Sequence, residues 1–272
     1  MSEPNLPARQ LGRMLRRMRE RLGMNQGEAG APLRFSISKM SRIELGFLPS
    51  YHEFRALLDR YCVIVSEWDE YIALYDRGKE KGWWFHYGVG NRGFLPIEAE
   101  ASRVRVFQYG YIPGLLQTEA YMREVFAGGR RPLKGKKLEN EVAVRLRRQL
   151  RLTEEPILGY HAILDEYALR RPVLAGDERS EQLARLIECA EMPNVRLQIV
   201  PEDVGAYDGQ NGNVFIASFD DTEEPDVAYA EHIFGAMHYE KESDVSAAKM
   251  AFEDFADRAL DEEDSIAFIK RL

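Results

Sequence analysis

Residues 35–46 read FSISKMSRIELG. Three serines, a lysine and an arginine crowd positions 36–42, and Met40 and Ile43, three apart, supply a single narrow apolar edge. Ser36 is a good N-cap and Gly46 a natural helix stop, so the stretch predicts a short helix over about 36–45. A core helix would carry a wider apolar stripe. Here Ile37, Ser38, Lys39, Ser41 and Arg42 are left facing away from the anchoring edge. Small serines permit close approach to a DNA major groove, and a helix N-terminus offers partial positive charge to phosphate. Arg42, a turn and a half beyond Ser36, has the reach for a guanine edge, and Ile37 suits a thymine methyl.

The flanking sequence supports that reading. Leu11, Leu15, Met18 and Leu22 recur at spacings of 4, 3 and 4, one stripe of an amphipathic helix whose other faces carry Arg9, Arg13, Arg16, Arg17, Arg19 and Arg21. Gly23 ends it. Asn25 and Glu28 form a capping-box pattern opening a short second helix, weakened by Gly27, Gly30 and Pro32. Ser50-Tyr51-His52-Glu53 is a second capping box, followed by Phe54, Leu57, Leu58 and Tyr61 on one face. A fifth helix is predicted over about 66–81, with Trp68, Tyr71, Ile72 and Tyr75 inward. Five short helices with a tight turn between the second and third describe a helix-turn-helix domain, placed at 1–82.

Charge is divided along the chain. Residues 1–60 hold eleven Lys/Arg against six Asp/Glu, a net of +5, whereas the whole chain carries −8, leaving −13 for residues 61–272. Screening acts over roughly 8–10 Å at cellular salt, so an acidic body does not prevent a basic head from meeting DNA.

The motif GMNQ…SISKMSRIELGFLPS resembles the phage-repressor-like (Cro/cI, or XRE) helix-turn-helix class over roughly residues 9–65. The resemblance implies that Asn25 and Gln26 lie where the second helix touches phosphate. It places Ile37, Ser38 and Arg42 at base-reading positions, and it makes Arg19 and Glu44 a buried pair tying the first helix to the third. Together with Ser36, Lys39 and Ser41, these form the expected contact set on double-stranded DNA. Gly27-Glu28-Ala29-Gly30 departs from the usual E-E-L-A of the second helix.

The 272 residues suffice for two domains. No apolar run is long enough for a membrane span, and MSEPNLPARQ lacks an apolar signal core, so a cytoplasmic location without membrane association is expected. Cys62 and Cys189 make neither a metal-ligand spacing nor a disulfide framework.

Residues 83–95, aromatic and glycine-rich, are read as a hinge, and 96–272 as an α+β regulatory domain with a small, mainly antiparallel sheet. Helices are expected at 97–108, 118–127, 138–152, 178–191 and 241–259, and strands at 157–164, 195–200, 213–219 and 226–234. Gly88-x-Gly90-x-x-Gly93 matches a dinucleotide fingerprint only nominally, because Phe94, Leu95 and Pro96 separate the glycines from the next helix. The basic loop 128–137 lacks phosphate-loop spacing.

Several phrases of this body resemble the C-terminal domain of unknown function fused to such heads in actinobacterial regulators, Pro113-Gly114-Leu115-Leu116-Gln117-Thr118 most of all. That resemblance implies an antitoxin-like or developmental regulator, often paired with a small protein from an adjacent gene. It brings no ligand.

Enzymatic chemistry finds no support. Adjacent Asp165 and Glu166 point apart on any regular element, Glu231 neighbours His232 without a further partner, and His232 and His238 lack a third metal ligand at useful spacing. No nucleophile motif occurs. No cofactor or metal is expected. Trp83, Trp84, Phe107, Tyr109 and Tyr111 are candidates for a ligand pocket or a partner surface. The function expected is that of a homodimeric, sequence-specific DNA-binding regulator. The alternative is an antitoxin-like module that sequesters a protein partner and binds DNA secondarily.

Overall fold

The computed structural model describes residues 4–90, 93–220, 224–232 and 235–272. The chain divides between Trp83 and Trp84 into two compact units.

The first unit is all-helical: α1 (Leu6–Arg21), α2 (Gln26–Gly30), α3 (Ile37–Glu44), α4 (Tyr51–Arg60) and α5 (Trp68–Lys79). Each local signal forms as its chemistry requires. Asn25 and Glu28 make a reciprocal capping box on α2, Ser50 and Glu53 make another on α4, and Ser36 caps α3 by accepting from the Lys39 N–H. Asn5 caps α1 and donates to the carbonyls of Arg77 and Glu80, fastening the start of α1 to the end of α5. The core gathers Leu11 and Leu15 from α1, Met40 and Ile43 from α3, Phe54, Leu57 and Leu58 from α4, and Trp68 and Tyr75 from α5. Phe54 and Tyr75 stack with ring centres 4.7 Å apart, and the Tyr75 hydroxyl donates to the Pro49 carbonyl.

The second unit is α+β. It contains α6 (Leu95–Glu98), β1 (Arg103–Gln108), α7 (Glu119–Ala127), α8 (Lys136–Gln149), β2 (Gly159–Asp165), α9 (Glu166–Arg170) and α10 (Gly176–Ala190). There follow β3 (Val195–Val200), β4 (Val214–Ser218), β5 (Val227–His232), β6 (Gly235–Tyr239), α11 (Glu242–Arg258) and α12 (Glu262–Ile269). The strands form one sheet in the order β3-β2-β1-β4-β5-β6. β1, β2 and β3 pair in parallel, and β4, β5 and β6 continue antiparallel from the free side of β1. The sheet is mixed, with antiparallel pairing in the majority as expected: among the described residues, three of its five strand pairings are antiparallel and two are parallel.

Both faces of the sheet are covered, which explains why its strands read as apolar runs. Val104, Val106, Ala162, Leu164, Leu197 and Ile199 belong to one core with residues of α7, α10 and α12. Phe107, Ile163, Val200 and Ile216 face the other way, onto Val245, Phe252 and Phe255 of α11.

One expectation is corrected. The helix over 97–108 is only α6, and residues 103–108 are the central strand β1. Its alternation, Val104 and Val106 inward between Arg103 and Arg105, is a period of two, and β1 is hydrogen-bonded on both sides. Within the stretch read as a hinge, Trp84, Val89, Phe94 and Leu95 are buried, and Asn140 donates to the Tyr87 carbonyl.

Candidate nucleic-acid interface

Two helices and one turn build the face. Asn25 opens α2, which ends at Gly30, and the chain turns through Arg34 in the left-handed region (φ 57°) before Ser36 starts α3. Gly30 makes the turn tight: a Cβ there would lie 2.9 Å from Met40 Cγ and 3.0 Å from the Phe35 carbonyl. The departure of α2 from the usual pattern thus has a packing reason. Gly46, at φ 95°, ends the segment, with Arg9 of α1 against it.

The inward side of α3 carries Met40, Ile43 and Glu44, all buried. Its outward side carries Ser36, Ile37, Ser38 and Arg42, all exposed, with Ile37 at 63%. Ser41 is half-buried beside them. An isoleucine this exposed on a short helix has no folding role that its burial explains. The Arg42 guanidinium lies over the Phe47 ring, 4.8 Å from its centre, which holds the long side chain along the α3 surface.

A buried carboxylate organises the frame. Glu44 Oε1 accepts from Arg19 Nε at 2.5 Å, and Glu44 Oε2 accepts from Arg19 Nη2 at 3.0 Å and from Gln26 Nε2 at 2.8 Å. Arg19 Nη1 also donates to the Met24 carbonyl at 2.7 Å. The hydrogen bond to Glu44 raises the Arg19 pKa above its ordinary value. Tyr61 lies in the same region, and burial, then the Glu44 charge, push its hydroxyl up to about 12.

Not every expected contact residue points outward with its donors available. Gln26 spends its amide on Glu44. The Asn25 side-chain Oδ1 accepts from the Glu28 N–H as the α2 cap, an acceptor rather than a donor committed. Lys39 is hydrogen-bonded to Glu53 of α4 and lies over Phe35. Ile37, Ser38 and Arg42, with Ser36 at the helix start, form the exposed face of α3.

One residue went unnoticed in the sequence. A Cβ on Gly12 would lie 2.7 Å from the carbonyl oxygens of both Ile43 and Glu44. Gly12 lets the backbone of α1 close on the end of α3. Its signal was an isolated glycine inside a strong helical pattern.

In the second unit a cavity of about 430 Å³ opens between the β4–β5 side of the sheet and α8. Of the aromatic candidates, Tyr111 lines it. Phe107 is fully buried on the opposite sheet face, 4.5 Å from Phe255 between ring centres, and Tyr109 stacks on Tyr167 at 5.2 Å. Trp84 is buried and Trp83 half-buried at the division between the units. Asp165 caps α9 and accepts from the Tyr207 hydroxyl, while Glu166 accepts from Arg170 and from the Glu202 N–H, so both carboxylates hold structure.

The architecture is thus a five-helix helix-turn-helix head followed by a mixed-sheet α+β domain. Residues 10–70 match a family described as a helix-turn-helix domain, and residues 92–271 match a domain of unknown function, DUF5753. The chain belongs to the DUF5753 family. No curated protein and no solved structure matches it. Among the described residues no helix is long and apolar enough to cross a membrane.

Proposed function

We propose that this protein is a sequence-specific DNA-binding transcription regulator that places α3 in the major groove. The observation that carries the reading is the outward face of α3: exposed Ile37, Ser38 and Arg42 on a helix whose other side is locked into the core. Arg42 reads a guanine edge, Ile37 and Ser38 complete base contact, and the N-terminal end of α3 at Ser36 meets phosphate. The helix-turn-helix match over residues 10–70 supports DNA binding, as does the basic balance of residues 1–60. The protein acts in the cytoplasm as a homodimer on paired half-sites, the usual geometry of this class. The second unit serves dimerisation, a small protein partner or an effector, in keeping with the resemblance to antitoxin-like actinobacterial regulators.

The test is DNA binding against salt. Sites selected from random sequence should be bound with an affinity that falls by about 10³–10⁵-fold between roughly 50 and 200 mM salt, the response of a dimer neutralising about 6–10 phosphates. A flat salt dependence, or no selected consensus, would remove residues 1–60 as the DNA-binding surface.

A further inference from the structure

The phrase Pro113–Thr118 forms one wall of the second unit's cavity, and it is held from three directions. Gln149 Nε2 donates to the carbonyls of Gly114 (3.1 Å) and Gln117 (2.7 Å). Gln182 Oε1 accepts from the Thr118 N–H at 2.7 Å, and Gln182 Nε2 donates to the Leu116 carbonyl at 2.9 Å. The Gln117 side chain donates to the Ile112 carbonyl at 2.6 Å and accepts from Arg145 Nη1 at 2.7 Å. A wall fixed this firmly gives a cavity whose shape exists before any ligand arrives.

Two arginines of α8 line the cavity, and their surroundings differ. Arg148 is neutralised by Glu98 through two hydrogen bonds of 2.6 and 2.7 Å. Arg145 has no carboxylate hydrogen-bonded to it among the described residues. It donates to the neutral Gln117 amide, lies 4.3 Å over the Phe126 ring, and keeps a buried Nε with no acceptor. Burial, and then the neighbouring Arg148 charge, pull its pKa down to about 10, against the opposing influence of the Glu141, Glu98 and Glu231 carboxylates, none of which is hydrogen-bonded to it. Gly114 stands directly beside that Nε: a Cβ there would come within 3.3 Å of it. A buried N–H donor without an acceptor is costly, and an acceptor brought by a ligand would relieve that cost.

The rest of the lining sets the kind of ligand. Val125, Phe126, Phe215 and Tyr229 make an apolar body site. Glu141 and Glu231 also line the cavity, and Glu231 accepts from the Tyr229 hydroxyl. These two acids oppose any anion and a polyanion most of all, so the anion that fits is one carrying a single charge and bonded directly to the Arg145 guanidinium. The volume of about 430 Å³ lies within the usual span for small-molecule sites, roughly 300–1,000 Å³.

We infer that the cavity is an effector site for a small monocarboxylic acid with an aromatic or branched aliphatic body, its carboxylate seated on Arg145 beside Gln117 and Gly114. This deepens the reading of the second unit as an effector domain and rests on it.

The experiment uses the full chain without DNA. Phenylacetate, indole-3-acetate and 3-methylbutanoate are titrated by calorimetry and thermal shift, each beside its neutral primary amide, with inorganic phosphate as a further probe. At least one carboxylate should bind with Kd below roughly 1 mM and raise Tm by about 3 °C at ten times Kd. Its amide should bind at least about tenfold more weakly, and Arg145→Met should lose about tenfold or more. The carboxylate–amide comparison needs no variant, so it decides the matter even if Arg145→Met does not fold. No binding across the panel, equal binding of acid and amide, phosphate binding as well as the acids, or undiminished binding to Arg145→Met would each overturn the inference. Because DNA is absent, these outcomes leave the proposal for α3 untouched. Failure of the DNA experiment would in turn leave a measured ligand in place.

Discussion

The Lys39 ammonium on α3 is hydrogen-bonded to the Glu53 carboxylate on α4, and that bond lowers the Glu53 pKa. Glu53 also accepts from the Ser50 N–H as part of the α4 capping box. One side chain therefore caps a helix and restrains a cation next to the exposed face of α3.

This restraint is separable from the cap. Glu53→Gln keeps an acceptor for Ser50 and releases the lysine charge. The variant should fold normally and bind DNA of any sequence more tightly, with a salt slope steeper by about one unit per subunit. Fluorescence anisotropy on specific and random duplexes over a salt series measures it. An unchanged slope would mean that Lys39 stays off the phosphates.

Arg42→Ala should cost about 1–3 kcal/mol of specific affinity and relax preference at one or two base pairs of each half-site. A panel of single-base-pair operator changes reads this. Uniform loss with the preference intact would make Arg42 a backbone clamp and leave the reading to Ile37 and Ser38.

Removing one member of the Arg19–Glu44 pair strands a buried charge. Arg19→Ala and Glu44→Ala should each destabilise the first unit by about 3–5 kcal/mol. Glu44→Ala additionally strips the Gln26 amide of its acceptor. Denaturant melts monitored by fluorescence are the check, and near-wild-type midpoints in both variants would contradict the pair's role.

Gly12→Ala places a methyl 2.7 Å from two backbone carbonyls that cannot rotate away. The cost should be about 1–3 kcal/mol, the range for overpacking, despite alanine's better helix propensity. If the exchange stabilised the protein, the close approach of α1 to α3 would be wrong.

His161 supplies a pH dependence in the second unit. Burial pulls its pKa from 6.5 to about 4, while a hydrogen bond with Gln198 works in the opposite direction. The unfolded chain binds the proton more readily, so this contribution to stability is fully present above about pH 6.5 and is lost as pH falls towards about 4. The loss is at most about 3 kcal/mol, and less because the ring is only half-buried. His161→Gln should flatten the stability profile across that window relative to wild type, measured by urea unfolding near pH 7 and pH 4.5. Parallel profiles would show that the ring titrates normally.

What could be read without coordinates was local. Caps at Asn25, Ser36 and Ser50 involve residues three apart, so their pattern is visible in any short window. The apolar edge of Met40 and Ile43 is equally local. The strand at 103–108 was missed because Glu98, Ala99, Glu100 and Ala101 favour helix just before it, and the pairings that make it a strand come from residues 159–164 and 214–218. The Lys39–Glu53 bond spans fourteen positions and the Arg145–Gln117 bond twenty-eight, with no spacing rule to foretell either. Gly12 could have been suspected, but what it touches could not.

The Glu44 carboxylate receives donors from α1 and α2 while belonging to α3 itself. Three helices thus share one fastening. The reading face should then behave as an all-or-none object in time as well as in space: backbone amides of α2 and α3 should exchange with solvent through a single opening event rather than fraying one after another. On the proposed function, α3 would meet DNA as a rigid probe, leaving any adjustment during recognition to the side chains of Ile37, Ser38 and Arg42 or to the DNA itself.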